Sequence, residues 1–274
     1  MESITLNNGV TIPQVGYGVF QIPSTDAQRM TEAALAAGYR HIDTAAGYRN
    51  EAGVGRGVRE SGLPRGDVFV TTKLWNADQG YEKALKAFET SRALLGLDYI
   101  DLYLIHFPVP QRRLYAETWK ALEKLYADGA VRAIGVSNFK FPYLDRLLAT
   151  ADIVPAVHQI EVHPTYQQAE LDALTRTHGI VVEAYSPLGR GADLGAAAIT
   201  SIAERLGVSP AQVIIKWHLQ RGRVVLPKSA STVRLATNFD TGGFELAAAD
   251  LTAIEALEQG LRTGEDIETF DVPA

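Results

Sequence analysis

Eight short apolar runs, helical stripes between them, and β-branched residues on both faces of each run predict an α/β fold, a (β/α)8 TIM barrel. Strands that alternate with helices form a parallel sheet, because each parallel pair needs a crossover connection. Coverage of both sheet faces explains why the runs do not alternate apolar with polar. Eight such units in 274 residues fit a closed barrel and a single domain over 1–274. A doubly wound open sheet is the alternative that the same pattern allows.

The chain opens with "SITLNNGVTIP", in which two β-prone runs flank Asn8-Gly9. That dipeptide accepts the positive φ angles of a type I′ turn, so an N-terminal β-hairpin is expected. Strands follow at "VGYGVF" from Val15, "HIDTA" from His41, "VFVTTKL" from Val68, "YIDLYLIHF" from Tyr99, "VRAIGVSN" from Val131, "PAVHQIEV" from Pro155, "IVVEAYSP" from Ile180 and "RVVLPKS" from Arg223. The clearest helix is "LYAETWKALEKLYADG", whose Tyr115, Trp119, Leu122, Leu125 and Tyr126 form one stripe that Gly129 ends. "SPAQVIIKWHLQRG" carries an N-cap Ser209, Pro210 in the first turn and Gln212 placed for a capping box. "FPYLDRLLATA" and "LDALTRTHG" supply further outer helices. "GVGRG", Gly53 to Gly57, has the glycines of a phosphate loop without its Lys-Ser/Thr, which predicts close helix packing. After Ala248, "ADLTAIEALEQGL" reads as an extra C-terminal helix before a polar tail.

Composition narrows the function. A net charge of −6 argues against nucleic acid or an anionic membrane as partner. With no cysteine, disulfides, thiolate metal sites and cysteine nucleophiles are excluded. The N-terminus lacks a basic region followed by an apolar run, and no stretch is long and apolar enough to span a bilayer. A cytoplasmic protein is the expectation.

In a barrel of this kind, chemistry gathers at the C-terminal ends of the strands. The polar residues there are Asp43, Lys73 and His106, and the loop after Asp43 adds Tyr48. Singly, each has a plainer reading: a loop-capping carboxylate, a Schiff-base or solvated lysine, a core histidine, a packed loop aromatic. Together they suit proton transfer to a carbonyl. A phenol with pKa near 10 is a weak acid. An ammonium beside it favours the phenolate and is expected to lower that pKa, while a carboxylate keeps the buried ammonium charged. An imidazole can hold the carbonyl by a hydrogen bond. His158 and His163 have opposite parity on one strand and lack an HExxH pattern, so no metal site is expected. "QRR", with Arg112 and Arg113, is either a solvated loop or an attractor for an acidic substrate.

Six separated motifs, "HIDTAAGYRNEAGVG", "TTKLW", "LYLIHFP", "IGVSNF", "VHQIEVHP" and "LPKS…R", resemble the aldo-keto reductase signatures in order. Within the family the motifs resemble the bacterial branch around 2,5-diketo-D-gluconate reductase. The resemblance implies a monomeric barrel that uses NADPH to reduce aldehydes and ketones, with a small-molecule carbonyl compound as its partner. It implies Tyr48 as proton donor, tuned by Lys73 and Asp43, with His106 orienting the carbonyl. Ser137, Asn138 and Gln159 would bind the nicotinamide carboxamide, and Tyr185 would stack on its ring. Gly18, Ser186 and Leu188 would line the cofactor's path, with "SPLGRG" near the pyrophosphate. Lys228, Ser229 and Arg234 would hold the adenosine 2′-phosphate, with Asn238 near the adenine. No G-x-G-x-x-G occurs, which leaves a Rossmann site without support.

The chain departs from the family pattern at Phe107, where tryptophan is common, at His158 in place of asparagine, and at Thr237 in place of glutamate. Phe20, Trp75 and Phe107 are the expected substrate walls, and short loops predict an open pocket. Two other functions stay open at this level: an NADPH-binding module without turnover, and a Schiff-base aldolase at Lys73.

Overall fold

A computed structural model describes residues 2–271 of the chain. Strands β1 (Ser3–Thr5) and β2 (Thr11–Pro13) form an antiparallel hairpin. Eight further strands follow: β3 (Tyr17–Gly18), β4 (His41–Asp43), β5 (Phe69–Leu74), β6 (Ile100–Ile105), β7 (Val131–Ser137), β8 (Val157–Glu161), β9 (Val181–Tyr185) and β10 (Val224–Leu226). Each pairs in parallel with its sequence neighbour. Val15, just before β3, bridges to Val225 of β10, and Gly16 and Val225 add backbone hydrogen bonds of 2.9 Å across the seam. The sheet therefore closes into a barrel, and the open doubly wound alternative is overturned.

Helices α1 (Ser24–Ala36), α2 (Glu51–Glu60), α3 (Tyr81–Leu95), α4 (Tyr115–Ala127), α5 (Phe141–Leu148) and α6 (Ala169–Thr177) occupy the first six connections. α7 (Ala197–Leu206) and α8 (Pro210–Gln220) lie between β9 and β10; α9 (Thr232–Phe239) and α10 (Ala248–Glu255) follow β10. The α4 stripe is buried through Tyr115, Trp119, Leu122 and Leu125, and each such side chain contributes roughly 1.5–3 kcal/mol by leaving water. Ser209 and Gln212 form the expected capping box of α8. In α2 a Cβ on Gly55 would overlap the Leu95 backbone carbonyl, and one on Gly53 would come within 2.7 Å of Ala27. These glycines let α2 approach α1 and α3; they hold no phosphate.

The hairpin plugs the barrel floor. Leu6 and Ile12 pack with Phe69, Leu102, Leu104, Ala133, Val157 and Val224, which point into the barrel. Its turn differs from the expected type I′. Leu6 accepts from Gly9 at 3.0 Å and donates to Val10 at 2.8 Å, and only Gly9 has positive φ, 84°. This is a type I turn closed by a left-handed glycine. Asn8 instead spends its side chain on the Val10 amide, at 3.1 Å, and on the Arg132 carbonyl, at 2.9 Å.

The register decides which side chains meet inside. Gly18 pairs with Asp43, Asp43 with Thr71, Lys73 with Leu104, Ser137 with Gln159, Gln159 with Glu183, and Glu161 with Tyr185. Residues two apart share a face, so Gly18, Asp43, Lys73, Ser137, Gln159, Glu161, Glu183 and Tyr185 all face the interior. His158 has the other parity and is buried against α6, with Nδ1 3.1 Å from the Thr175 hydroxyl. That departure from the family pattern lies behind the strand, away from the mouth.

Candidate active site

A cavity of about 560 Å³ opens at the C-terminal ends of the strands. Its wall includes Asp43, Tyr48 and His106; Gly18, Ser137, Asn138, Gln159, Tyr185, Ser186 and Leu188; Lys228, Ser229, Arg234 and Asn238; and Phe20, Trp75 and Phe107. Lys73 is fully buried beneath this wall.

Tyr48 reaches the mouth through a short 3₁₀ turn, Ala46–Tyr48, that follows β4 and ends on left-handed Arg49. Asn50 pins the turn: its amide donates to the Val19 and Ile22 carbonyls at 3.0 and 3.1 Å, and its oxygen accepts from Thr44 at 2.7 Å. Gly47 leaves room for Trp75, whose ring lies 2.5 Å from where a Cβ would stand.

Lys73 Nζ donates to Asp43 Oδ1 and Oδ2 at 2.7 and 2.8 Å, to the Thr44 carbonyl at 2.9 Å, and lies 3.4 Å from Tyr48 Oη. Burial opposes the ammonium, but Asp43 and Tyr48 outweigh it and hold the Lys73 pKa above its usual value. Desolvation pushes the Asp43 carboxyl up, against the pull of Lys73. Tyr48 corrects the expectation of a lowered phenol. Desolvation raises its pKa above 10.0, and the Lys73 ammonium only offsets part of that rise. The ring of His106 lies 5.6 Å from that of Tyr48. Burial, then Lys73, keep the imidazole pKa well below 6.5, so it is neutral.

Beside this group, Asn138 Nδ2 donates to the His106 carbonyl at 2.9 Å and to Ser137 Oγ at 3.1 Å. Gln159 Nε2 donates to Asp43 at 2.9 Å and to Glu183 at 2.7 Å. With its amide hydrogens committed, Gln159 has only its oxygen left to offer. Glu183 is a site residue that sequence reasoning missed. It is fully buried, and desolvation followed by Asp43 raises its carboxyl to about 8, so it carries a proton at neutral pH. The available signal was its parity with Tyr185 two residues on.

On the arc after β10, Ser231 caps α9 by accepting from the Arg234 amide at 3.4 Å. Lys228 and Arg234 are exposed and take part in none of the ion pairs among the described residues. Two cations and the Ser229 hydroxyl beside a helix start form a fitting cradle for a phosphate monoester. Thr237, which replaces the family's glutamate, bonds the Val233 carbonyl of its own helix at 3.0 Å.

The aromatic wall is continuous. Phe20 lies 5.1 Å from Tyr48, Trp75 5.5 Å from His106, and Phe107 5.0 Å from His106, between ring centroids. Phe270 of the C-terminal tail joins it, 4.5 Å from Phe107 and 6.2 Å from Trp75. The tail corrects the expectation of an open pocket, since Gly264, Glu265 and Phe270 cover part of the mouth. Glu161 accepts from the Thr263 amide at 2.7 Å and the Gly264 amide at 3.0 Å. Glu268 pairs with Lys140 at 2.9 Å. Arg112 pairs with Asp271 at 2.6 Å and donates to the Asn76 carbonyl at 3.0 Å. Arg112 is thus a tail tether, its guanidinium engaged by Asp271 and the Asn76 carbonyl. His163 joins Asp193, at 2.8 Å, to Glu161, at 3.3 Å. No group of three or more metal-ligating side chains occurs among the described residues, and no described helix is long and apolar enough to cross a membrane.

The Aldo/keto reductase family profile matches residues 14–259. An aldo-keto reductase of Mycolicibacterium smegmatis is 53% identical over 268 residues, covering 98% of each chain. Glyoxal reductase of Bacillus subtilis is 48% identical over 264 residues, covering 96% of this chain and 95% of its own. Among solved structures, a Gox0644 mutant in complex with NADPH superposes with a TM-score of 0.95 at 43% identity, covering 99% of both chains. A profile match over most of the chain, and relatives this similar over nearly all of it, establish the reading reached from the strand ends: the chain is an oxidoreductase of the aldo/keto reductase family.

Proposed function

We propose that this protein reduces aldehydes and ketones to alcohols with NADPH. The observation that carries the reading is the Lys73 ammonium, held by both oxygens of Asp43 and lying 3.4 Å from the Tyr48 hydroxyl at the cavity wall. NADPH, when bound, supplies the hydride. The protein supplies the proton and the alignment. Tyr48, protonated across the physiological range, donates to the carbonyl oxygen as negative charge develops there. Lys73 stabilises the phenolate that remains, and Asp43 keeps that charge in place. Neutral His106 shares the mouth with Tyr48 and is the second hydrogen-bonding group for the carbonyl. Ser137, Asn138 and Gln159 would hold the nicotinamide carboxamide, and Tyr185 its ring.

Lys228, Ser229 and Arg234 support NADPH over NADH, because two cations without an ion-pair partner among the described residues suit the 2′-phosphate. The test is the ratio of kcat/KM for the two cofactors with one aldehyde. A ratio above about 10 in favour of NADPH is expected from the loss of one phosphate-binding pair. A preference for NADH would overturn the assignment.

For the substrate, Phe20, Trp75, Phe107 and Phe270 offer an apolar body site, and the Glu265 carboxylate also lines the cavity. Arg112 is paired with Asp271. We therefore favour neutral carbonyl compounds, aromatic aldehydes and small dicarbonyls, over the anionic 2,5-diketo-D-gluconate. A panel that includes both classes decides between them. Higher kcat/KM for the sugar acid would reverse the choice. Lys73 speaks against an aldolase. Its charged Nζ lies beneath the wall with its hydrogens engaged, so Lys73 presents no free nucleophilic amine. NADPH oxidation on addition of aldehyde separates an enzyme from a binding module.

A further inference from the structure

Arg262, half-buried in the C-terminal tail, places Nη2 3.0 Å from Tyr185 Oη. Its Nε donates to the Glu265 carbonyl at 2.7 Å and lies 3.5 Å from the Glu161 carboxylate. Tyr185 Oη donates to Asn138 Oδ1 at 2.6 Å, and Asn138 Nδ2 donates to the His106 carbonyl at 2.9 Å. One hydrogen-bonded chain thus runs from the tail, through the end of β9 and the residue after β7, to the backbone of His106.

The direction of each bond is fixed. A guanidinium can only donate, so the Tyr185 oxygen accepts from Arg262 and turns its single hydrogen toward Asn138. Asn138 sits in the left-handed region at φ 62°, where asparagine is one of the few tolerated side chains. The remaining contacts of Asn138, to Ser137 and His106, leave its oxygen to Tyr185.

We infer that Arg262 is a positioning residue for the cofactor: through the Tyr185 hydroxyl it fixes the ring that stacks on the nicotinamide, so the tail serves cofactor binding as well as walling the substrate. The inference rests on the proposal that Tyr185 is the stacking ring. The tail has other anchors, in the Glu161 contacts to Thr263 and Gly264 and the Arg112–Asp271 pair, so removing the guanidinium does not by itself release it.

The test is a double-mutant cycle on the full-length protein without substrate. NADPH affinity is read by quenching of tryptophan fluorescence. Arg262→Leu is expected to raise the NADPH Kd about 3- to 10-fold, the range of one net hydrogen bond. Tyr185→Phe, which keeps the ring and removes the hydroxyl, should raise it similarly. The double variant should be no weaker than Tyr185→Phe alone, and Arg262→Lys should recover part of the affinity. Additive effects would show that Arg262 acts through general loss of tail order, and would overturn the inference, as would an unchanged Kd in Arg262→Leu. Tyr185→Leu separates the two levels. If it leaves the Kd unchanged, the stacking assignment falls and the inference with it. If it weakens binding while the cycle is additive, only the role of Arg262 falls. Thermal melts check that each variant is folded, and Arg262→Met replaces Arg262→Leu if the latter is not.

Discussion

At the residue scale, the central contact is one ammonium shared between a carboxylate and a phenol. Proximity to Lys73 does not make Tyr48 a strong acid, because desolvation is the larger effect and leaves the phenol above 10.0. This sets a direction. Reduction needs the protonated phenol and runs at neutral pH, whereas alcohol oxidation needs the phenolate. The expected outcome is that kcat for alcohol oxidation climbs as pH rises toward and through 10, while kcat for reduction stays level until that range. An oxidation rate already flat near neutrality would contradict the burial argument. Asp43, Lys73 and His106 were legible because each interrupts or ends an apolar run where a barrel gathers its chemistry. Glu183 was not, since a lone carboxylate in a strand has no visible partner until the register sets it beside Gln159 and Asp43. Phe270 was not either, because the polar tail has no periodicity that links it to Phe107.

At the element scale, the eight strands could be read from apolar runs alone, and their ends fell within a few residues of those observed. The α8 cap was legible at Ser209 and Gln212, whereas the Ser231 cap of α9 was not read. The hairpin turn was misread because Asn8-Gly9 suits two turn types, and tertiary contacts of the Asn8 side chain favoured the three-residue form. Glycines in α2 were legible as packing residues. Gly55→Ala should lower stability by about 1–3 kcal/mol, because the overlap with the Leu95 carbonyl outweighs the better helix propensity of alanine. Ser209→Ala should cost about 1 kcal/mol. Thermal melts of both variants check this ordering. A Gly55→Ala protein as stable as the parent would mean that α2 and α3 can separate freely.

At the scale of the whole molecule, His163 ties together the turn after β8, the segment Gly189–Gly195 through Asp193, and the C-terminal tail through Glu161. Burial opposes the charged imidazole, but the Asp193 and Glu161 carboxylates beside it outweigh burial and raise its pKa from 6.5 to about 9. Desolvation pushes the Glu161 carboxyl up, but His163 and Thr263 outweigh it and lower its pKa from 4.5 to about 2. A raised histidine stabilises fully below its unfolded value and loses that contribution as pH climbs through the folded one. A lowered carboxylate does the reverse. The cluster therefore supports the fold most between about 4.5 and 6.5, and its histidine part fades toward 9. Melting temperature against pH should fall over the alkaline range in the parent and lose that dependence in His163→Asn. Equal slopes would remove His163 as the cause. Barrel closure was implied by the strand count and the hairpin by its Asn8-Gly9 turn, but the hairpin's seat at the barrel floor was not legible. The tail over the mouth was not, because chain folding back across a barrel leaves no local pattern.

All of these scales converge on the hydroxyl of Tyr48, and Tyr48→Phe tests it most directly. Stopped-flow hydride transfer to an aromatic aldehyde, with NADPH affinity measured in parallel, should show a rate lower by roughly 10²–10⁴-fold and a Kd within about twofold of the parent. A rate close to that of the parent would contradict the account, because the proton would then come from elsewhere and the Asp43–Lys73 pair would have nothing to tune.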